Sequence, residues 1–263
     1  MGNIRINNLQ FSYSKEHEVF RDVTYSLPKD KTLSIIGTSG TGKTTLLKIL
    51  NGELDYRGEI VINGLDVIKD NSEALKNIIS VVYEDTSFVT DLVKDELRFP
   101  LENVNVSPTE IKKRIDEIDL YFNIHKLLNK RIDLLSNKEK VLVKILSYAI
   151  CCPSYLCLDD LLTYLDNRTK ILLLNYLNSK HITLINVTSN MEDTLYTDCI
   201  LCLYDGINAI DGKTLDVLSQ EKILKRLGFE LPFYIDLSIQ LQLYGLIHKT
   251  YLNKEAMVKN IWK

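Results

Sequence analysis

The pattern of hydrophobic and polar positions divides the chain into an alternating N-terminal part and a series of short apolar runs. Ile4, Ile6 and Leu9 alternate with polar neighbours, and a second half-apolar stretch follows at residues 19–20 and 23–27. Because a period of two is typical of half-buried strands, these segments predict an antiparallel sheet. Residues 58–64 add a further strand that ends in Asn-Gly.

Four continuous apolar runs predict strands that are buried on both faces. They lie at residues 32–36, 154–158, 182–187 and 199–204. Stretches with helical spacing stand between them, at residues 45–50, 141–150 and 171–177. Buried strands that alternate with helices predict a parallel sheet covered by helices, which is the α/β fold class.

The middle and the end of the chain are helical in pattern. Residues 90–130 are rich in charge, and Ser107-Pro-Thr-Glu110 has the form of a helix start. We therefore predict a helical subdomain at about residues 90–150, inserted in the α/β core. Only helical signals follow residue 212, so we predict a core domain of residues 1–212 and a C-terminal helical extension of residues 213–263.

Composition limits the partners and the compartment. The 32 basic and 35 acidic residues give a net charge of −3, which disfavours a dedicated nucleic-acid binder. We expect no nucleic-acid partner. The chain has five cysteines but no apolar secretion signal, so we expect reduced thiols in a cytosol. No apolar stretch is long enough to predict a membrane span.

The strongest chemical signal is Gly37-Thr-Ser-Gly-Thr-Gly-Lys-Thr44, which follows a predicted buried strand and precedes a predicted helix. Glycines let successive backbone N–H groups point at phosphate oxygens, and the helix start adds its positive dipole. Lys43 supplies a charge to the phosphates, and the Thr44 hydroxyl can ligate Mg²⁺. This loop predicts nucleoside triphosphate binding, with kinase, GTPase and transport ATPase all open.

A pair of carboxylates follows the buried strand at residues 154–158. Asp159 is placed to hold the metal's water shell, and Asp160 is placed to polarise an attacking water. The alternative is that the two aspartates only cap the following helix.

Four motifs in order resemble those of the ATP-binding cassette (ABC) ATPases over nearly the whole chain. They are the phosphate loop and residues 135–140, 158–166 and 185–190. The resemblance implies a P-loop ABC-type nucleotide-binding domain with an antiparallel β subdomain, an inserted helical subdomain and a C-terminal helical extension. It also implies ATP and Mg²⁺ as ligands.

The resemblance assigns roles to individual residues. For ATP binding it implies Tyr13, on which adenine would stack, and Gly37, Thr38, Ser39, Gly40, Thr41, Gly42, Lys43, Thr44 and Thr45. For the metal it implies Thr44, Asp159 and Glu84, and for catalysis Asp160, Glu84 and Ser189. A signature loop of Ser136, Asn137, Lys138 and Glu139 would act in the site of a partner, and Asp166 stands in the D-loop.

Two further segments are similar to those of energy-coupling factor (ECF) and cobalt-type importers. They are residues 94–103, after the Q-loop that contains Glu84, and the tail at residues 227–246. The resemblance implies import of a vitamin or metal ion, a transmembrane partner subunit, and a peripheral place on the cytoplasmic face of the membrane. We expect residues 85–97 to touch that partner, with Phe88 exposed, and charge changes at Asp91 or Glu96 to uncouple transport. The alternative for Phe88 is that it packs under the helical subdomain.

The chain departs from the family at four catalytic positions. Asn137, Lys138 and Glu139 replace Gly-Gly-Gln of the signature, Asp160 replaces a glutamate, Ser189 replaces a histidine, and Glu84 replaces a glutamine. A misplaced carboxylate or a lost proton donor costs on the order of 10²-fold in rate. We therefore expect this chain to be the catalytically weakened half of a heterodimer with a second ABC ATPase subunit.

Three other functions stay open. The chain could be an exporter ATPase, although exporters generally lack the two importer-like segments. It could be a nucleotide-gated regulatory subunit with little hydrolysis. A small-molecule P-loop kinase would need an arginine-rich lid, and Arg98, Arg114 and Arg131 are too scattered for one.

Overall fold

A computed structural model describes residues 4–68, 75, 78–252 and 254–261, and these form one mixed sheet with helices around it. The strands are β1 Ile4–Ser14, β2 His17–Leu27, β3 Leu33–Ile36, β4 Arg57–Ile62, β5 Leu65–Asp66, β6 Ile79–Val82, β7 Tyr155–Asp159, β8 Thr183–Thr188, β9 Cys199–Tyr204 and β10 Ile207–Lys213. Their spatial order is β5-β4-β1-β2-β10-β9-β3-β8-β7-β6.

The helices cover this sheet and build two additions to it. They are α1 Lys43–Leu50, α2 Val93–Asn103, α3 Pro108–Phe122, α4 Asn137–Ala149, α5 Asn167–Ser179, α6 Thr214–Leu218, α7 Glu221–Arg226, α8 Phe233–Leu243 and α9 Lys254–Ile261. Short 3-10 helices occur at Ile132–Leu134, Leu162–Tyr164 and Met191–Tyr196. None of the helices in the described part of the chain combines the length and apolar character that crossing a bilayer demands.

The two predicted kinds of sheet are both present and are joined edge to edge. Strands β1, β2 and β4 pair antiparallel, whereas β3 pairs parallel with β8 and β9, and β7 pairs parallel with β6 and β8. A single parallel pair between Ile207 and Asp22 connects the halves. The carboxyl ends of β3, β7 and β8 therefore lie side by side, which is where α/β folds bind ligands.

The helical subdomain shares a hydrophobic core with the parallel sheet, in which Val93, Leu97 and Ile118 are buried together with Leu156 of β7 and Leu184 of β8. Its α3 helix starts where the sequence predicted, because the Ser107 hydroxyl accepts a hydrogen bond from the Glu110 N–H at 3.4 Å. Helix α4 starts at Asn137, four residues before the helical pattern at residues 141–150, because Ser136 caps its first turn.

The tail folds back on the sheet. Leu218, Leu224 and Ile235 are buried in one cluster with Ile36 and Ile200 of the parallel strands. The beginning of the C-terminal extension therefore shares a hydrophobic core with the nucleotide-binding sheet.

Candidate functional site

The phosphate loop links the end of β3 to the start of α1, and its glycines are required by the space around them. Gly42 has a φ of 90°, and a Cβ there would lie 2.5 Å from Val19 Cγ1. A Cβ on Gly37 would lie 2.2 Å from Thr41 Oγ1. Any side chain at either position would push the loop open, so the loop's curvature depends on glycine.

Lys43 places a buried cation inside this loop. Its ammonium donates to the carbonyl oxygens of Gly37 at 2.7 Å and Thr38 at 3.1 Å. Burial lowers the pKa of Lys43, and the nearby carboxylates of Asp160 and Asp159 oppose that effect. A partly desolvated ammonium that faces the loop is well suited to bind phosphate oxygens.

Thr44 and Asp159, two of the predicted metal ligands, contact each other. The Thr44 hydroxyl donates to Asp159 Oδ2 at 2.8 Å, at the point where β7 ends. Burial raises the pKa of Asp159, and the charge of Asp160 adds to the rise. Hydroxyl and carboxylate oxygens suit Mg²⁺. Within residues 4–68, 75, 78–252 and 254–261 no cluster of three or more His, Cys, Asp or Glu side chains could hold a metal, so Mg²⁺ here would also need phosphate and water oxygens.

Asp160 and Ser189, the two predicted catalytic groups at the ends of β7 and β8, contact each other. Asp160 Oδ1 accepts from the Ser189 N–H at 2.8 Å, and Oδ2 accepts from the Ser189 hydroxyl at 3.2 Å. The Asp160 N–H donates to the Val187 carbonyl at 2.9 Å, and the residue has a left-handed φ of 53°. The serine thus holds both oxygens of a carboxylate that lies near Lys43.

Glu84 follows β6 and reaches the same edge of the sheet. Its carboxylate accepts a hydrogen bond from the Tyr164 hydroxyl, and its carbonyl accepts one from Lys144 Nζ at 2.9 Å. Its negative charge is close enough to contribute to the raised pKa of Asp159. The sequence analysis gave no role to Tyr164, which lies inside the motif at residues 158–166, or to Lys144, which lies outside every motif, because only the fold brings them to Glu84.

Tyr13 lies beside the first turn of α1. Its hydroxyl is 3.2 Å from Thr45 Oγ1, and its ring packs edge-on against Phe11 with the ring centroids 4.8 Å apart. The side chain is 53% exposed, so one face is accessible next to the phosphate loop. Its stacking on adenine stays a prediction.

The signature residues are hydrogen-bonded within the chain. The N–H and the hydroxyl of Ser136 donate to Glu139 Oε2 at 2.8 Å and 2.6 Å, and the Glu139 N–H donates back to the Ser136 hydroxyl at 3.3 Å. Asn137 begins α4 next to this box, and Lys138 forms an ion pair with Asp166. The Ser136 hydroxyl proton is therefore directed at a carboxylate.

Glu139→Ala is expected to lower the stability of the folded chain by about 0.5–1 kcal/mol at neutral pH, because it removes half of a capping box. The hydrogen bonds from Ser136 lower the pKa of Glu139, so its contribution is present above the ordinary glutamate pKa and is lost as pH falls through the lowered value. Thermal unfolding at neutral and acid pH measures this. Glu139→Gln, which keeps an acceptor oxygen, is the control, and an equal loss in both variants would contradict the capping role.

The structure corrects two expectations about the segment at residues 85–97. Phe88 is half-buried rather than exposed, because it packs against the helical subdomain with Lys144 Nζ 5.7 Å from its ring centroid. Glu96 is buried, and its carboxylate accepts from the N–H groups of Val89 at 3.1 Å and Thr90 at 2.9 Å. A charge change at Glu96 would therefore disturb the fold, whereas Asp91 remains an exposed candidate contact.

An apolar groove beside this segment went unnoticed in the sequence. Its cavity is about 350 Å³, and Val89, Phe99, Val104 and Tyr148 are among the residues that line it. Val89 is 64% exposed. The sequence feature that could have indicated the groove is the presence of Val89, Phe99 and Val104 in a stretch that is otherwise rich in charge.

A buried ion pair lies under the loop that carries Ser189. Lys170 of α5 and Asp193 of the 3-10 helix Met191–Tyr196 are joined at 2.5 Å, and the two side chains are 7% and 0% exposed. The ammonium also lies 5.3 Å from the Tyr196 ring centroid. The ion pair therefore connects α5, which follows Asp166, to the 3-10 helix that follows Ser189.

Comparisons with known proteins agree with this geometry. The ABC transporter family model matches residues 20–163. The chain is 28% identical over 263 residues to an energy-coupling factor transporter ATP-binding protein of Mycoplasmopsis synoviae, covering 97% of this chain and 98% of that one. It is 34% identical over 205 residues to a putative ABC transporter ATP-binding protein of Bartonella quintana, covering 77% of this chain and 90% of that one.

A solved structure shares the fold. It is that of CbiO1 from Clostridium perfringens, part of an ABC transporter complex, and it superposes with a TM-score of 0.77 at 22% sequence identity. The match covers 92% of this chain and 99% of that one. The family model spans the phosphate loop, the Asp159–Asp160 pair and the helical subdomain between them, so the chain belongs to the ABC transporter family, as one of its ATP-binding ATPases.

Proposed function

We propose that this chain is the ATP-binding subunit of an ECF-type importer, which binds MgATP and couples closure and hydrolysis to uptake of a vitamin or metal ion. The observation that carries the proposal is the contact between the Thr44 hydroxyl and Asp159 at 2.8 Å, with the Lys43 ammonium in the adjacent loop. Phosphate oxygens would replace the Gly37 and Thr38 carbonyls as partners of Lys43. Similarity to ECF ATP-binding proteins over nearly the full length supports import, because it includes the C-terminal extension.

The chain is the catalytically weakened half of a heterodimer in this proposal. The short Asp160 carboxylate is held by Ser189, which carries no positive charge toward a phosphate. The Ser136 hydroxyl is bound to Glu139, so the chain's own signature would serve a partner's site poorly. A homodimer would contain each of these features twice, which favours a second, more active ABC ATPase as the partner.

A transmembrane subunit would dock in the groove lined by Val89, Phe99 and Val104. The groove is apolar and open, which suits the apolar face of a helix from that subunit. Docking there would hold the chain at the cytoplasmic face of the membrane as a peripheral subunit. Glu84 directly precedes the segment at residues 85–97, which includes Val89 of the groove, so movement of the nucleotide site would reach the docked helix.

The proposal is tested by measuring ATP binding and ATP hydrolysis separately. The chain is purified alone and also from its native membrane with the proteins that accompany it. We expect the lone chain to bind a fluorescent ATP analogue with Mg²⁺ but to hydrolyse ATP slowly, and the complex to contain a second ATPase and a membrane protein. Brisk turnover by the lone chain would contradict the weakened role.

Restoring the two altered catalytic groups together should raise hydrolysis at this chain's own site. Asp160→Glu with Ser189→His lengthens the carboxylate by one methylene and returns a proton donor, so we expect a rise of about tenfold to hundredfold. Single-turnover hydrolysis is measured in the complex, with the partner ATPase's own phosphate-loop lysine replaced. Ser189→His alone is the control, and an unchanged rate in the double variant would show that these groups are not limiting.

A nucleotide-gated regulatory subunit is the second candidate, favoured by the Ser136–Glu139 hydrogen bonds. In that case ATP binding would be retained, and neither this chain's site nor the partner's would hydrolyse ATP. The same paired measurements separate the two candidates.

A further inference from the structure

Two side chains from different elements hydrogen-bond to Glu84, one to its backbone and one to its carboxylate. From α4, Lys144 Nζ donates to its backbone carbonyl at 2.9 Å. From the 3-10 helix Leu162–Tyr164, the Tyr164 hydroxyl donates to its carboxylate. The two contacts fix independent degrees of freedom, since one sets where the backbone of residue 84 stands and the other sets where its charge points.

The Lys144 contact is strengthened by its surroundings. The ammonium lies over the Phe88 ring, 5.7 Å from the centroid, and partial burial lowers its pKa while the charges of Asp85 and Glu84 oppose the effect. A hydrogen bond from a partly desolvated cation is stronger than one made in water. Ser147 and Tyr148, one turn further along α4, line the groove. Lys144 therefore connects the helix that forms this wall of the groove to the backbone of Glu84.

The Tyr164 hydroxyl would compete with a bound metal ion for the Glu84 carboxylate. Glu84 Oε1 accepts the phenol proton, and Glu84 is also one of the charges that raise the pKa of the Asp159 carboxyl, which is bound to Thr44. Strands β6 and β7 pair in parallel with Val82 opposite Leu158, so Glu84 and Asp159 lie at the same edge of the sheet. A carboxylate at this edge is a natural oxygen ligand for Mg²⁺, directly or through water. To reach the metal it must leave the phenol, so the hydrogen bond opposes metal binding.

We propose that Lys144 and Tyr164 are positioning residues for Glu84 and together set the Mg²⁺ requirement of the ATP-bound chain. Lys144 holds the backbone of residue 84 where its side chain can reach the metal, and Tyr164 withholds that side chain until the metal displaces the phenol. The inference rests on the proposed MgATP function, and it gives the two residues effects of opposite sign.

The test is a Mg²⁺ titration of the binding of a fluorescent ATP analogue to the full chain. Tyr164→Phe should lower the half-saturating Mg²⁺ concentration about threefold to tenfold, because a competing hydrogen bond to a charged group is lost. Lys144→Met should raise it by a similar factor, and Lys144→Arg should restore it. Binding of the analogue in excess EDTA should be the same in all variants, since Glu84 acts only through the metal.

A double-mutant cycle isolates the route through Glu84. In a Glu84→Gln background, Tyr164→Phe should leave the Mg²⁺ requirement unchanged. Persistence of its effect there, a shift in the same direction for Tyr164→Phe and Lys144→Met, or no shift in Tyr164→Phe would overturn the inference. Tyr164 is exposed, so its variant tests the idea even if Lys144→Met does not fold. Failure of every variant and of the parent chain to bind the analogue would instead overturn the proposed function.

Discussion

Lys170→Met is expected to lower the free energy of unfolding by about 3–5 kcal/mol, because it leaves a buried carboxylate without its counter-charge. Asp193 is fully buried and its Oδ1 accepts from the Lys170 ammonium at 2.5 Å. Its other oxygen has only a 3.5 Å contact to the Thr188 hydroxyl. Methionine matches the lysine stem in length, so packing is largely kept and the loss is electrostatic.

The pH dependence of that loss identifies its cause. Burial raises the pKa of Asp193, and the hydrogen bond from Lys170 opposes this rise in the parent chain. In Lys170→Met the opposing effect of Lys170 is lost and the long Thr188 contact is left to oppose burial, so the carboxyl binds a proton more readily in the folded than in the unfolded state. The destabilisation should therefore be largest at high pH and shrink as pH falls through the raised pKa. Urea unfolding, repeated in steps from about pH 8 down toward the ordinary aspartate range, measures it.

Two variants control the experiment. Lys170→Met with Asp193→Leu removes both charges and should recover most of the lost stability. Lys225 makes surface ion pairs with Glu221 at 2.7 Å and Asp236 at 3.5 Å. Because solvent screens these charges, Lys225→Met should cost much less stability than Lys170→Met. A loss for Lys170→Met no larger than that for Lys225→Met would mean that the buried pair adds nothing.

Lys43→Ala is expected to reduce ATP turnover by the assembled complex at this chain's site about 10²–10³-fold, and to weaken binding of the fluorescent ATP analogue. The reason is that the ammonium is the only cation whose hydrogen bonds, at 2.7 Å and 3.1 Å to loop carbonyls, place it inside the described phosphate loop. Removing a positioned donor that stabilises developing charge typically costs a factor of this size. Single-turnover hydrolysis and analogue titration measure the two effects.

Lys48→Ala is the matched control. Lys48 lies on the same helix α1, five residues further along and outside the loop, so its loss changes the net charge equally. We expect it to leave analogue binding and turnover near the parent values. An equal effect of both substitutions would assign the loss to net charge rather than to the position of Lys43.

The fold class and the location of the phosphate site were predictable because they depend on local pattern. Four mainly apolar runs specify strands with two covered faces, and the glycine-rich loop between such a strand and a helix specifies a phosphate cradle. The antiparallel strands were also predictable from alternation, since a shift by one residue would expose Ile4 and Ile6. The pattern at residues 141–150 missed the true start of α4, because the capping box at Ser136 and Glu139 extends the helix through polar residues.

Phe88 and Glu96 show what sequence reasoning could not decide. It left Phe88 either exposed or packed under the helical subdomain, and the structure shows the second, with Lys144 over its ring. A glutamate in a charged stretch was expected to be a surface contact, but it is buried and accepts the N–H groups of Val89 and Thr90. Burial of a single side chain depends on which distant segment packs on it, and that is not a local property.

The sequence by itself determined the α/β architecture, the phosphate loop around Lys43 and the carboxylates at the end of β7, because each depends on residues adjacent in the chain. Only the tertiary structure decided that Ser189 holds Asp160, that Lys144 and Tyr164 hold Glu84, and that Lys170 neutralises Asp193. These partners are separated by tens of residues along the chain. A hydrogen bond between them requires a separation of about 3 Å, which only the complete packing of strands and helices sets.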